Sequence, residues 1–266
     1  MLLRSIRGRQ TLRILSPGRR AWVVMELVSP FAFVYTYVHS PLSPLGFGTS
    51  PPLNIYNPSA ILAGLFLVHY ANRAMFSTLR TPSRSKSHII VILAGILFNG
   101  VNGPLLGAYL SSPESRSYLT GAYQRPRFWL GILMWAVGYV GNIVHDEILL
   151  NIRRKKREED RKRTPEKIKQ KKGEHYGIPH GLLYEYISYP NYFCEWIEWL
   201  GFALAASPLP SFQGLGPFLE TITPPFLFFV AEVLTMVPRA VRGHQWYHDK
   251  FPNYPKERKV VIPFLI

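Results

Sequence analysis

The stretch "SYPNYFCEWIEWLGFALA", Ser188 to Ala205, decides the fold class. Its second half is apolar and follows a pair of tryptophans, a composition typical of a membrane helix that begins in an interfacial aromatic belt. Three polar side chains interrupt it at the helical spacing i, i+4 and i+7: Asn191, Glu195 and Glu198. Ionisable groups at membrane depth cost about 2.5–3.5 kcal/mol each, so they usually face a partner or a cavity. The alternative is that both carboxylates lie at headgroup level.

Six segments have roughly the 20 residues that a bilayer crossing requires. They predict a bundle of about six transmembrane helices at 21–40, 58–79, 88–110, 128–150, 192–212 and 217–238. Polar groups interrupt every segment, so a soluble helical bundle is an alternative on hydropathy alone. The basic residues favour the membrane: with both termini in the cytoplasm, 28 of the 31 Lys and Arg fall on the cytoplasmic side, as the positive-inside rule requires. We therefore predict an all-α integral membrane protein with a single domain over residues 1–266.

The strongly basic regions are the N-terminus, residues 1–20, and a charged loop over residues 151–175. Four acidic residues interrupt the loop's basic run, residues 153–172, and no nucleic-acid-binding signature accompanies it. We therefore expect a solvated cytoplasmic loop near anionic headgroups and no nucleic-acid partner. The N-terminus lacks the continuous apolar core of a cleavable signal. A mitochondrial presequence is an alternative to a cytoplasmic flank. The single cysteine, Cys194, excludes a disulfide framework and a cysteine-based metal site, and we expect no metal.

A second polar stripe lies in "GNIVHDEILLNIRR", residues 141–154. Asn142 and Asp146 are four residues apart and Arg153 is seven further, so all three share one helix face. Two polar stripes on different membrane helices predict one shared cavity that water or a polar ligand can enter.

Further polar groups lie near the predicted cytoplasmic ends of the first two spans. Glu26 lies in the first span, and His69, Tyr70 and Arg73 lie in the second. A phenol and a carboxyl could both hydrogen-bond one substrate carbonyl and polarise it. The alternative is an interfacial tyrosine beside a helix-end glutamate.

The third span and the C-terminal tail carry weaker signals. Asn99 and Asn102, followed by Gly103 and Pro104, predict a helix break beside a cavity, with a simple kink and small-residue packing as the alternative. The tail is basic and aromatic, which predicts a cytoplasmic cap over a phosphorylated cofactor; a basic tail that follows topology explains the charges equally well. The tail residues in question are Arg239, Arg242, His244, Tyr247 and Tyr254. No Rossmann, serine-hydrolase or zinc-protease motif is present.

From about Trp22 onward the chain resembles the steroid 5α-reductases. The most specific matches are "YGIPHGLLYEYISYPNYFCEWIEWLGFALA", residues 176–205, and "WYHDKFPNYPKERKVVIPFL", residues 246–265. Shorter matches are "AWVVMELVSP", "LFLVHYANR", "NGPLLGAYL" and "GNIVHDEILLNIR". The resemblance implies an endoplasmic-reticulum membrane enzyme that uses NADPH to reduce the C4=C5 double bond of a 3-oxo-Δ4 steroid.

The resemblance also implies roles for residues of this chain. Glu26 and Tyr70 match the pair that holds the 3-oxo group, and we expect Trp22 and Arg73 to line the substrate site. The positions that match cofactor contacts are Asn142, Asp146, Arg153, Tyr176, Asn191, Glu195, Arg239 and Tyr247. Hydrogen bonds from Tyr70 and from protonated Glu26 would make C5 of the enone electrophilic.

The chain departs from the family pattern at its start and in its tail. In addition, His145 is displaced by one position from the family's usual histidine, and the charged insert near 155–172 is longer than in close members. The family pattern has seven membrane helices, and the first of them is not evident here, because only about twenty residues precede the span that contains Glu26. Gly243 replaces the first of two adjacent histidines, which leaves His244 alone. Two enzyme alternatives keep the fold, namely reduction of an enoyl-CoA or of a polyprenol-type lipid, and a third alternative is a non-catalytic membrane scaffold. A methyltransferase would leave the Glu26 and Tyr70 pair without a role.

Overall fold

The computed structural model describes residues 17–43, 51–81, 88–161 and 176–265, and this part of the chain is helical. Its α-helices are α1 (Pro17–His39), α2 (Pro58–Tyr70), α3 (Ser77–Arg80), α4 (Ile89–Ser111), α5 (Pro113–Leu119), α6 (Pro126–Arg161), α7 (Pro190–Ala206), α8 (Leu215–Thr221) and α9 (Pro224–Lys250). Most of the basic N-terminus and the charged loop beyond residue 161 lie outside the described residues. The one β-type pairing within the described ranges is a parallel bridge between Ile187 and Lys259.

Among the described residues, four helices are long and apolar enough to cross a membrane: Gly18–His39, Ile89–Ser111, Pro126–Glu159 and Pro224–Lys250. Their outward faces expose large apolar side chains, including Phe31 on α1 and Val137 on α6. Contact with lipid explains this exposure, because so much apolar side-chain surface would be unfavourable in water. The predicted all-α membrane architecture is confirmed. Three of the six predicted spans coincide with such helices, and a fourth, 217–238, overlaps one in part.

The other two predicted spans differ from single long α-helices. Over 58–79 the α-helical pattern ends at Tyr70, and a π-helical segment, Ala71–Phe76, connects α2 to α3. Over 192–212 the helix has 17 residues and ends at Ala206. Pro208 and Pro210 follow, and proline disfavours a helical conformation in the residue before it.

The last predicted span is shifted along the chain. Residues 217–238 contain the short helix α8 and only the first part of α9. The helix α9 begins at Pro224, at a position where proline costs no hydrogen bond. It then continues to Lys250, well beyond the predicted end of the span, and so carries "RGHQWYHDK" on a rigid element.

Two helix pairs, α1 with α4 and α6 with α7, approach each other through glycines. A Cβ atom on Gly103 would lie 2.2 Å from the carbonyl oxygen of Ser29, and one on Gly138 would lie 2.4 Å from the backbone nitrogen of Glu198. Small residues of this kind let membrane helices pack at close range. The predicted break at Gly103 is wrong, because α4 is continuous and Thr36 Oγ1 of α1 donates to the Pro104 carbonyl at 3.1 Å.

The C-terminal tail fixes the start of α7. The backbone nitrogens of Ser188 and Tyr189 donate to the carbonyls of Lys259 and Val260 at 2.9 and 3.0 Å. Val261 of the tail is fully buried in a cluster with Trp196 of α7 and side chains of α9. The tail, α7 and α9 are thus packed against one another.

Candidate active site

Arg73 lies at the centre of a buried cluster of charged groups. Its Nε donates to Glu26 Oε1 at 3.2 Å and its Nη1 donates to Glu195 Oε1 at 2.8 Å, although the two carboxylate side chains are only 4% and 3% exposed. The residue belongs to the π-helical segment that follows Tyr70. Single π-helical turns occur often at functional sites, because the extra residue changes the direction of the side chains. Arg73 therefore joins helices α1 and α7 through two ion pairs.

Trp22 contacts the same guanidinium from α1. Its indole Nε1 donates to the Arg73 carbonyl at 3.4 Å, and the Arg73 Cζ lies 5.6 Å from the centre of the indole ring. The geometry is that of a cation–π contact. The two residues predicted to line the substrate site are therefore direct neighbours.

His69 and Glu198 form a second buried pair beside Arg73. His69 Nδ1 lies 2.7 Å from Glu198 Oε1, and His69 Nε2 lies 4.0 Å from Glu195 Oε1. The second carboxyl oxygen of Glu198 is buried without a hydrogen-bond partner among the described residues. We call the set Glu26, His69, Tyr70, Arg73, Glu195 and Glu198 the inner cluster.

The Tyr70 hydroxyl is bound by two asparagines of α4. It donates to Asn99 Oδ1 at 3.2 Å and accepts from Asn102 Nδ2 at 3.3 Å. Asn99 Nδ2 donates in turn to the carbonyl of Met25, the residue before Glu26, at 2.9 Å. The asparagines that were predicted to mark a helix break therefore position the phenol and the backbone beside the carboxyl.

The two predicted polar stripes meet across the contact between α6 and α7. Asn142 Nδ2 donates to Glu195 Oε2 at 3.1 Å and to the Asn191 carbonyl at 3.0 Å. Asn191 Nδ2 donates to Asp146 Oδ1 at 3.1 Å. Glu195 is buried, whereas the other three side chains are half-buried. The stripe is thus continuous with the inner cluster at Glu195 and more accessible at Asp146.

A cavity of about 350 Å³ lies between the ends of α6 and α9 and the segment before α7. We call it the outer cavity; its lining residues are Leu149, Ile152, Arg153, Tyr176, Gly177, Tyr189, Gly243, Trp246 and Tyr247. The Arg153 Cζ lies 5.4 Å from the centre of the Tyr176 ring, and that ring meets Trp246 edge to face at 5.0 Å. Arg153, Tyr176 and Tyr247, predicted from separate segments, therefore share one cavity.

Five predicted cofactor residues do not line the outer cavity: Asn142, Asp146, Asn191, Glu195 and Arg239. The first four lie in the contact between α6 and α7, and Arg239 lies apart from them. It is exposed on α9 and has electrostatic contact with Tyr192 and Glu232. Of the residues predicted to form a cap, Tyr247 lines the cavity and Tyr254 stacks on it, with ring centres 5.1 Å apart. His244 turns to Ser188, with its Nδ1 2.6 Å from the hydroxyl oxygen.

Sequence reasoning missed several groups near the site. Glu232 is only 8% exposed and interacts electrostatically with Glu195, Arg73 and Glu26. A lone carboxylate within "PPFLFFVAEVLTMV" was a signal that could have found it. His145 is also buried, and its Nδ1 lies 2.6 Å from the Gly141 carbonyl. Burial raises the pKa of the Tyr184 phenol, so the phenol stays protonated and donates to the His145 carbonyl at 3.3 Å.

Comparison with known proteins agrees with the resemblance in the sequence. The family described as 3-oxo-5-alpha-steroid 4-dehydrogenase matches residues 85–266. An uncharacterized protein, C9.08c, of Schizosaccharomyces pombe is 40% identical over 257 residues, which cover 94% of this chain and 84% of that protein. The rat 3-oxo-5-alpha-steroid 4-dehydrogenase 1 is 34% identical over 94% of this chain and 81% of its own length. The human 3-oxo-5-alpha-steroid 4-dehydrogenase 1 is 34% identical over 98% of this chain and 86% of its own length. The chain therefore belongs to the 3-oxo-5-alpha-steroid 4-dehydrogenase family, the steroid 5α-reductases.

Proposed function

We propose that this protein uses NADPH to reduce the C4=C5 double bond of a 3-oxo-Δ4 steroid. The observation that carries the proposal is the double ion pair of Arg73, which binds Glu26 on the carbonyl side and Glu195 on the cofactor side. The Arg73 guanidinium thus connects the residues proposed to bind the steroid with those proposed to bind the cofactor. Holding two reactants in one geometry can account for a large share of an enzyme's rate enhancement.

The residues around the outer cavity suit a phosphorylated nucleotide. Arg153 offers a guanidinium that can bind phosphate in bidentate fashion, and Tyr176, Trp246 and Tyr247 offer ring faces and edges. The cofactor-binding set is Asn142, Asp146, Arg153, Tyr176, Asn191, Glu195 and Tyr247, with Arg239 at its exposed margin. NADPH, when bound, supplies the hydride that C5 accepts.

Tyr70 and Glu26 polarise the 3-oxo group. Asn102 donates to the Tyr70 hydroxyl, which makes that hydroxyl a better donor. Its single proton, which Asn99 Oδ1 accepts in this structure, would turn to the substrate carbonyl. Glu26 would donate from a protonated Oε2, because Oε1 accepts from Arg73. Proton uptake at Oε2 makes Glu26 neutral, so its contact with Arg73 is then a hydrogen bond, and the ion pair of Arg73 with Glu195 remains. Withdrawal of electron density from the 3-oxo group makes C5 electrophilic, the resulting enolate oxygen is stabilised by the same donors, and C4 then takes a proton.

A label-transfer experiment tests the reaction. The protein in lipid nanodiscs is incubated with NADPH deuterated at C4 of the nicotinamide and with progesterone, and the product is analysed by mass spectrometry. We expect deuterium at C5, with transfer strongly reduced in Tyr70→Phe and Glu26→Gln and normal in the control Tyr35→Phe, whose side chain is exposed on α1. If the protein reduces an enoyl thioester and not the steroid, the enoyl-CoA alternative replaces the steroid as the proposed substrate. If it reduces neither, the result favours the non-catalytic membrane scaffold.

We further propose an endoplasmic-reticulum location with both termini in the cytoplasm. The support is the charge distribution, because the connection 206–216 contains no Lys or Arg whereas 153–172 contains twelve. A glycosylation acceptor introduced within 209–213 should be glycosylated in microsomes. The same acceptor introduced into the charged loop should remain unmodified, and the reverse pattern would overturn the orientation.

A further inference from the structure

The Tyr189 side chain occupies the volume that a side chain at position 243 would need, so the two positions cannot both carry a side chain in this arrangement. A Cβ atom on Gly243 would lie 1.6 Å from the Tyr189 hydroxyl oxygen and 2.4 Å from its ring carbon Cζ. Both residues line the outer cavity. The hydroxyl therefore lies against the backbone of α9 at the cavity wall, in the volume that a side chain at position 243 would occupy.

Neighbouring groups hold the Tyr189 backbone and ring in place, and the Tyr189 hydroxyl is available to a ligand. The Tyr189 nitrogen donates to the Val260 carbonyl at 3.0 Å, and the ring centre lies 5.2 Å from that of Tyr192. Burial raises the pKa of the Tyr189 phenol, so it remains a donor at neutral pH. No group in the described part of the chain hydrogen-bonds this hydroxyl. A fixed donor without a protein partner, on the wall shared with Arg153, suits an anionic oxygen.

We propose that the Tyr189 hydroxyl is a further nucleotide-binding group of the outer cavity, donating to a phosphate oxygen, and that Gly243 is the residue that admits it. This inference rests on the proposed use of NADPH. It also accounts for the departure at position 243, since a histidine there could not coexist with Tyr189 in its present position. The two positions are therefore functionally coupled: the tyrosine supplies the polar group, and the glycine supplies the room.

The hydroxyl is tested by binding, without turnover. Isothermal titration of NADP⁺ into the protein in nanodiscs, with no steroid present, should give a dissociation constant about tenfold higher for Tyr189→Phe, the loss expected for one hydrogen bond to a charged group. The matched control is Tyr186→Phe, an exposed tyrosine three residues before Tyr189 that does not line the cavity and should bind NADP⁺ like the unchanged protein. Equal affinities for the two variants would overturn the contact.

The coupling is tested by changing position 243 in two backgrounds. Gly243→Ala should weaken NADP⁺ binding at least tenfold in the unchanged protein, because the new methyl group displaces the Tyr189 ring. The same change should have less than about a twofold effect in the Tyr189→Ala background, where the space is empty. An equal loss in both backgrounds would contradict the shared space. The nearly isosteric Tyr189→Phe keeps the test valid should a glycine variant fold poorly.

Two results separate this inference from the proposed function. NADP⁺ binding that depends on Tyr189, without reduction of any steroid, would leave the inference standing and remove the reaction. Normal deuterium transfer to C5 together with unchanged NADP⁺ binding in Tyr189→Phe would support the proposed reaction and overturn the role of Tyr189.

Discussion

The inner cluster and the outer cavity are built on opposite principles. In the inner cluster the charged groups bind one another, and Glu26, Glu195 and Glu198 are almost completely buried. In the outer cavity, Arg153 and Tyr176 are partly exposed and face open volume. The first region is organised by its own ion pairs and hydrogen bonds, whereas the second presents donors and ring faces to open volume. We therefore propose that the inner cluster serves the chemical step and that the outer cavity serves cofactor affinity.

The connection between the two regions is narrow. Glu195 belongs to the inner cluster, and its second oxygen accepts from Asn142 of the polar stripe that leads outward. The contact depends on the close approach of α6 and α7 at Gly138. Substitutions in the inner cluster, at the connection and in the outer cavity should therefore have distinct signatures.

The largest effect is expected for Arg73→Ala. The change leaves Glu26 and Glu195 buried without their cation, which should lower the free energy of unfolding by about 3 kcal/mol or more and abolish steroid reduction. The control is Arg80→Ala. The Arg80 side chain is 32% exposed and that of Arg73 29%, but the Arg80 partner, Glu147, is 33% exposed.

Pairs with exposed partners contribute about 0–1 kcal/mol, so Arg80→Ala should change stability little. Thermal unfolding in detergent and the rate of progesterone reduction measure both variants. Similar losses in the two variants would mean that burial of the carboxylates does not distinguish the inner cluster.

Gly138→Ala should have an intermediate effect, directed at the connection. The added methyl group forces α6 away from Glu198 and Cys194 of α7, at a cost of about 1–3 kcal/mol in unfolding free energy. Gly64→Ala is the control, because a Cβ atom there meets nothing within 4 Å and alanine favours a helix. Chemical denaturation measures the unfolding free energy of both variants. A Gly138→Ala protein as stable as Gly64→Ala would refute the close contact between α6 and α7.

Arg153→Lys should have the smallest effect, confined to affinity. A lysine keeps the charge but loses the planar fork that packs over Tyr176 and that we propose as the phosphate-binding group. We expect the NADP⁺ dissociation constant to rise about tenfold, as for the loss of one charge-assisted hydrogen bond. Lys155→Gln, exposed two residues further along α6, should bind NADP⁺ normally. A larger loss for Lys155→Gln would move the phosphate site along the helix.

The sequence was sufficient to predict the helical membrane architecture and the meeting of the two polar stripes. Apolar runs of bilayer length indicate which segments lie in the membrane, and the uneven distribution of Lys and Arg indicates which connections face the cytoplasm. The i, i+4 spacing of Asn142 and Asp146 and of Asn191 and Glu195 needs only helical geometry to become two facing stripes. Residues that share a helix face can therefore be grouped without tertiary information.

The remaining features depend on contacts between distant segments. The π-helical segment at Ala71–Phe76 has no sequence signature, and it gives Arg73 its two partners on α1 and α7. Pairing of His69 with Glu198, 129 residues apart, depends on how α2 packs against α7. The overlap of Tyr189 with position 243 likewise appears only when α9 and the tail are in place.

The central claim, a chemical step in the inner cluster and affinity in the outer cavity, is tested most directly by single-turnover reduction at saturating NADPH. Rapid quenching should give a rate constant about 100-fold lower for Tyr70→Phe, the loss typical of one donor to a developing oxyanion. For Arg153→Lys the rate constant should stay within about threefold of the unchanged protein, because saturation offsets weaker binding. An unchanged rate constant in Tyr70→Phe, or an equal reduction in both variants, would contradict the account.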